Sequence, residues 1–248
     1  MGVDPIPVAR NRLQEEWRRV WAVVWKDLLI ERRAKAAFNA MAFFAGLVLL
    51  TFGFAFGPDA PAGEPGQGTL LHQLAPGLIW VTILFAGVLA VDRSFQVELE
   101  RGGGALNALR LYPGDRKAIY VGKLLANITI MFVMEMLVCP VAGILYSLDL
   151  WPRLPGLAGV AVLATTGFAA MGTFYAALTA NLRARQVLLP LLMFPVLVPV
   201  ILAAVKATDL VFHGDPMGEL GSWLKLLGAV DVLFLTTCLL VFEFVLEE

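Results

Sequence analysis

The chain has 248 residues, of which 59% are hydrophobic and only 16% are charged. Soluble domains carry about 25% charged residues, so this composition excludes an ordinary soluble protein and favours an all-α integral membrane protein. The net charge is −1, and no nucleic-acid partner is expected. Cys139 and Cys238 both fall in apolar stretches and form no metal or haem-attachment pattern, so no metal site is predicted.

The N-terminal segment, residues 1–36, is predicted to be a cytoplasmic region containing an amphipathic helix. Its apolar residues lie on one helical face: Leu13, Trp17, Val20, Trp21, Val24 and Leu28. Basic residues such as Arg18 and Arg19 occupy much of the remaining surface. Tryptophans combined with basic residues suit a helix in the lipid headgroup region. Packing of this helix on the protein's own bundle is a compatible alternative.

Residues 37–248 are predicted to form one domain with six transmembrane helices. A hydrocarbon core of about 30 Å requires about 20 apolar residues per helix. Backbone polar groups cannot be satisfied by water in lipid, so these spans should be helices and not strands. The six apolar segments are residues 38–56, 74–91, 119–146, 157–180, 187–205 and 223–245.

The basic residues are distributed unequally around these spans. Of the 19 lysines and arginines, only Arg153, Lys206 and Lys225 lie on the side opposite to the N-terminus. The others precede the first span or follow the second and fourth spans. Basic residues accumulate on the cytoplasmic side of membrane proteins, so both termini and the loop 92–123 are predicted to be cytoplasmic.

The loop 92–123 is the only long charged segment between two spans. Leu106, Leu109 and Leu111 are predicted to lie in a short helix that Pro113 ends, because proline disfavours helix at the preceding residue. Leucines at this spacing favour burial against another surface, which indicates a docking element. The alternative is a solvated linker. The glycines at 102–104 are predicted to break the helix that runs on from Phe95.

A nucleotide-binding loop of the form GxxxxGK[ST] is absent from the chain. If the protein uses ATP, a partner subunit must therefore bind ATP and magnesium and hydrolyse the nucleotide. The chain itself is not expected to be an enzyme.

Three further polar residues are candidates for function. Glu135 lies near the middle of the third span, where an acid costs at least ~2.5–3.5 kcal/mol, so it should face the bundle, a partner or a water-filled path. The alternative role for Glu135 is a structural hydrogen bond to a nearby hydroxyl. His72 and His213 are the only histidines, both predicted to be external. Histidine commonly binds haem iron, but single loop histidines are more often plain surface residues.

Four motifs resemble the CcmB family, the haem exporter B permeases of cytochrome c maturation. They are APGLIWV at 75–81, FxxE at 95–98, LxxLxLxP at 106–113 and DRxAIxxGK at 115–123. The similarity extends from about residue 25 to the C-terminus, and region 75–123 is its most specific part. The family often has a single glycine before the leucine motif, where this chain has three.

The resemblance implies half of an ABC-2-type permease, similar to type V exporters, in the bacterial inner membrane. It implies a homodimer, a CcmA-like ATPase, CcmC-like and CcmD-like membrane subunits, and a CcmE-like haem chaperone. Haem is then a transported or chaperone-bound ligand, and this chain binds no cofactor itself. The residues implied in coupling to the ATPase are Asp92, Arg93, Phe95, Glu98, Leu106, Leu109, Leu111 and Pro113.

Two alternatives remain open at this point. The first is an ABC-2-type exporter permease for lipid, drug or polysaccharide. The second is a membrane enzyme or assembly factor that has no ATPase partner.

Overall fold

The computed structural model describes residues 8–34, 36–57, 60–61, 69–100, 116–180, 182 and 184–245. These residues form seven α-helices and no strand, which confirms the all-α prediction. The helices are α1 (Val8–Ala34), α2 (Ala36–Phe56), α3 (Leu70–Glu100), α4 (Arg116–Leu145), α5 (Leu154–Thr179), α6 (Arg185–His213) and α7 (Leu220–Val245). A single 3₁₀ turn, Trp151–Arg153, precedes α5.

Six helices, α2 to α7, are long and apolar enough to cross a membrane, as predicted. Their ends differ from the predicted ends. The helix α3 continues to Glu100 and α4 already begins at Arg116, so both margins of the predicted loop 92–123 are helical. Likewise α6 continues to His213. Hydropathy detects the part of a helix that fits the hydrocarbon core, whereas the backbone hydrogen bonds of that helix continue into its charged ends.

The helix α5 lies at the centre of the bundle and packs against α3, α4, α6 and α7. Small residues permit this close packing, because Ala169 and Thr173 are fully buried and Gly172 faces Val91 of α3. Tyr120 of α4 donates its hydroxyl to the Ala170 carbonyl of α5 at 2.9 Å. The core therefore combines small-residue contacts with a few buried hydrogen bonds.

The helix α1 packs along α4, and its apolar residues differ in exposure. Val20 and Val24 are buried. Trp17, Trp21 and Trp25 are 68%, 63% and 58% exposed, respectively. The valines therefore contact the bundle, while the tryptophans form a neighbouring exposed row on the same broad apolar face. Packing on the bundle is confirmed, and the location of the tryptophans in the headgroup region stays a prediction.

We predict that Gly122→Ala destabilises the protein by about 1–3 kcal/mol, a typical cost of overpacking. A methyl group at Gly122 would lie 2.7 Å from the Val23 Cβ atom, which forces α1 away from α4. The measurement is thermal unfolding in detergent. The matched control is Gly159→Ala, because a methyl group at Gly159 meets no atom within 4 Å. Equal midpoints for the two variants would contradict the close contact between α1 and α4.

Candidate functional site

The charged end of the bundle, here called the basic end, is formed by the end of α3, the beginnings of α4 and α6, and the last third of α1. Asp92 of α3 and Arg185 of α6 form its first ion pair. The Arg185 Nε donates to Asp92 Oδ1 at 2.9 Å, and its Nη2 donates to the Asp92 carbonyl. Gln96 Nε2 donates to Asp92 Oδ2 at 2.7 Å. Both carboxylate oxygens of Asp92 are therefore bound within this chain.

Lys123 of α4 is the centre of a second cluster. Its side chain is 0% exposed, and lysine is almost never fully buried unless it is paired. The ammonium donates to Asp27 Oδ2 of α1 at 3.3 Å and to the Ser94 carbonyl of α3 at 3.1 Å. It also lies over the Phe95 ring, 4.4 Å from the ring centroid, in a cation–π contact. One ammonium therefore connects α1, α3 and α4.

A third pair of charged residues, Glu31 and Arg93, lies between α1 and α3. Glu31 Oε1 and Arg93 Nε are both buried and have no hydrogen-bond partner among the residues that the structure describes. Burial raises the pKa of the Glu31 carboxyl, and the positive charge of Arg93 partly opposes that rise. The pair interacts by charge, without the direct hydrogen bonds of the other two clusters.

The structure divides the residues implied in coupling into two groups. Asp92 and Phe95 contact other residues of this chain, Arg185 and Lys123, respectively. Arg93 is half-buried beside Glu31, and Glu98 lies near the end of α3. Leu106, Leu109, Leu111 and Pro113 lie outside the described residues. Docking by these leucines stays a prediction.

Sequence patterns did not identify three residues that form buried ion pairs within the chain: Asp27, Lys123 and Arg185. A signal for Asp27 was present, because it lies three residues after Val24 and seven after Val20, on the same helical face. An acid on the apolar face of a helix needs a buried partner. The identity of that partner depends on which helix packs there, and periodicity does not give this information.

Glu135 connects α4 to α5 inside the membrane-spanning region. Its carboxyl oxygen Oε1 accepts a hydrogen bond from the Thr165 hydroxyl, and the residue is 4% exposed. This contact is the structural alternative expected from the sequence. The second oxygen, Oε2, is buried and has no hydrogen-bond partner among the described residues. One side of the carboxyl thus remains available to a proton or to a group that enters the bundle.

Asp231 of α7 is a second buried acid, and it contacts the other side of α5. It is 5% exposed, and its Oδ1 lies against the bare backbone of Gly167. A side chain at Gly167 would collide with that oxygen. The absence of a side chain at Gly167 therefore makes room for Asp231.

The two histidines meet at the opposite end of the bundle, here called the histidine end. His72 of α3 and His213 of α6 approach to 3.1 Å between Nδ1 and Nε2, respectively. The His213 Nδ1 lies 2.8 Å from Asp209 Oδ1. The sequence interpretation treated them as two separate surface residues, because nothing in one sequence brings together positions 141 residues apart.

Comparisons with known proteins all point to one family. The family described as "CcmB protein" matches residues 18–246 of this chain. The chain is 32% identical to "Heme exporter protein B" of Paracoccus denitrificans (strain Pd 1222), over 80% of this chain and 87% of the relative. It is 30% identical to the protein of the same name from Pseudomonas aeruginosa, over 82% of this chain and 85% of the relative.

We predict that Lys123→Met destabilises the protein by about 3–5 kcal/mol, because it leaves the buried Asp27 carboxylate with a poorer set of partners. The single change Asp27→Leu should cost a similar amount. The double variant should recover much of the loss, since two apolar residues of similar volume leave no buried charge. The measurement is a double-mutant cycle of unfolding in detergent. Simple additivity of the two single losses would show that the ion pair does not couple the helices.

Proposed function

Because this chain belongs to the CcmB family, we propose that it is the permease subunit of an ABC transporter complex that serves cytochrome c maturation. The observation that carries the proposal is a family match over residues 18–246, together with six helices able to cross a membrane. The relatives are named heme exporters, which favours haem as the cargo over lipid, drug or polysaccharide. Haem is either moved by the complex or released with its chaperone.

The proposed location is the bacterial inner membrane, with both termini in the cytoplasm. An even number of spans returns the C-terminus to the side of the N-terminus. The concentration of lysine and arginine at the basic end supports a cytoplasmic position for that end. The histidine end then faces the periplasm.

The proposed mechanism couples a separate ATPase subunit to the spans through residues 101–115. This segment joins α3 to α4, whose neighbouring ends are held by Lys123 and by the Asp92–Arg185 pair. A displacement of the segment by the ATPase would therefore move α3 and α4 together with α1 and α6. Such a displacement selects between two packings of the spans when their energies are similar.

The proposed partners are a CcmA-like ATPase that binds ATP and magnesium, CcmC-like and CcmD-like membrane subunits, and a CcmE-like haem chaperone. A second copy of this chain completes the permease. Exposed apolar residues on the spans, such as Phe43 and Phe54 of α2 and Ile144 of α4, leave ample surface for lipid or for these subunits.

Leu106→Asp combined with Leu109→Asp is expected to abolish co-purification of the ATPase subunit. A charge at each anchor would have to be buried without a partner in the docking groove, which costs several kcal/mol. The measurement is recovery of the ATPase with the permease from mild detergent after co-expression.

The matched control is Leu154→Asp, which places the same substitution at an exposed leucine of α5 near the histidine end. This variant should retain the ATPase. Full retention of the ATPase by the double variant would overturn the docking role of the leucines. If the double variant no longer shows a thermal unfolding transition, the test uses the otherwise wild-type protein with a cysteine at position 109. A cross-link from that cysteine to the ATPase supports docking, and the absence of a cross-link overturns it.

We further propose that the free oxygen of Glu135 contributes to transport. Glu135→Gln keeps the volume and can still accept from Thr165, so the unfolding midpoint should change little. Cytochrome c maturation should nevertheless fall several-fold, measured as haem-stained cytochrome in cells. Thr165→Val is the comparison that removes only the structural hydrogen bond. Normal maturation in Glu135→Gln would assign the residue to packing alone.

A further inference from the structure

We propose that His72 and His213 form a binding site for a divalent transition-metal ion at the histidine end of the bundle. They are the only two histidines of the chain, and the fold brings them together from α3 and α6. The site is open to solvent, because the side chain of His213 is 34% exposed and that of Asp209 is 39% exposed. This proposal is independent of the coupling mechanism, which uses residues of the basic end.

The distance between the two ring nitrogens suits a shared metal ion. His72 Nδ1 and His213 Nε2 lie 3.1 Å apart. Two imidazole nitrogens that each lie about 2.0–2.1 Å from a tetrahedral zinc ion are separated by roughly 3.3–3.4 Å. The two distances differ by only a few tenths of an ångström, and each ring must also rotate so that its nitrogen lone pair points to the ion and not to the other ring. The ring planes are inclined at 75°, so the two rings do not stack and neither covers the other.

Asp209 prepares His213 to act as a ligand. Its Oδ1 lies 2.8 Å from His213 Nδ1, which places the proton of the neutral ring on Nδ1. The lone pair then lies on Nε2, the nitrogen that faces His72. A carboxylate that orients a metal-binding histidine in this way also increases the basicity of the ligand. Without metal, His72 donates from Nδ1, and on metal binding its proton moves to Nε2, so no net proton is released from neutral rings.

The donor set selects the class of ion. Imidazole nitrogens suit zinc, copper and nickel, whereas magnesium and calcium prefer oxygen ligands. The described residues contain no group of three or more histidine, cysteine or acidic ligands, so water must complete the coordination shell. Arg153 is a nearby positive charge, with its guanidinium over the Phe212 ring at 5.9 Å. Because only two protein side chains bind the ion and the positive charge of Arg153 lies nearby, we expect a dissociation constant in the micromolar range and not in the nanomolar range.

The same geometry disfavours haem iron held between these histidines. Two axial histidines bind on opposite faces of a porphyrin, whereas these nitrogens are in direct contact and leave no room for the ring. Ligation of haem by both residues would require α3 and α6 to separate. A bare metal ion needs no such movement, and it would cross-link the first turn of α3 to the last turn of α6.

The test uses full-length protein without a histidine tag, in detergent, with Cu²⁺ alone as the probe. Equilibrium dialysis should give one bound Cu²⁺ per chain, and electron paramagnetic resonance should show nitrogen hyperfine coupling. His72→Asn and His213→Asn should each weaken binding at least 100-fold. Asp209→Asn should weaken it by about 10–100-fold, as expected for a residue that orients a ligand. The control Met217→Leu, which removes a thioether that is 83% exposed in the following loop, should bind normally.

Chemical protection tests the site without any substitution. Carbethoxylation of wild-type histidines, read by mass spectrometry, should be blocked at both His72 and His213 by stoichiometric Cu²⁺. Binding should also weaken in acid, because protons compete with the metal ion for imidazole nitrogens. Unchanged Cu²⁺ affinity in the double variant His72→Asn plus His213→Asn would overturn the proposal. So would unprotected histidines in the metal-loaded wild type.

Discussion

The buried ammonium of Lys123 is the constraint on which the basic end depends. A charge with no exposed surface is tolerated only when its Coulomb and hydrogen-bond partners replace the lost water. Two helices supply them: α1 through Asp27, and α3 through the Ser94 carbonyl and the Phe95 ring. The positions of α1 and α3 relative to α4 are therefore linked, because moving either helix alone would remove some of the contacts that stabilise the buried ammonium.

The interior of the bundle is held differently from its basic end. Its helices meet through small residues and through a few polar contacts, such as Asn127 with Thr173 at 2.9 Å and Glu135 with Thr165. Contacts of this kind are weak individually in membranes, with an average near 0.6 kcal/mol. A bundle whose end is held by ion pairs and whose interior is held by weaker contacts can repack internally while its end moves as a unit. Such a division would suit the coupling proposed above.

The sequence was sufficient for the six spans, because their existence depends only on apolar length. It was insufficient for their ends, since hydropathy ends the second span at residue 91, whereas one continuous helix, α3, runs to Glu100. It was also insufficient for contacts between distant positions. Asp27 could be identified as inward-facing from its spacing to Val24, but pairing it with Lys123 requires knowing that α1 lies on α4. Pairing His72 with His213 likewise requires knowing that the first turn of α3 lies beside the last turn of α6.

Three of the four motifs that resemble the CcmB family supply contacts within the described part of the chain. In DRxAIxxGK, Gly122 allows the close approach of α1, and Lys123 forms the buried pair with Asp27. In FxxE, Phe95 covers the same ammonium. In APGLIWV, Trp80 donates to the Thr208 hydroxyl of α6 at 2.8 Å. These residues make contacts within the chain, so similarity at these positions reflects how the helices pack against one another. In the proposed coupling, recognition of an ATPase would then depend on the segment between them, residues 101–115, and the response of the spans would depend on how firmly the basic end holds α3 and α4.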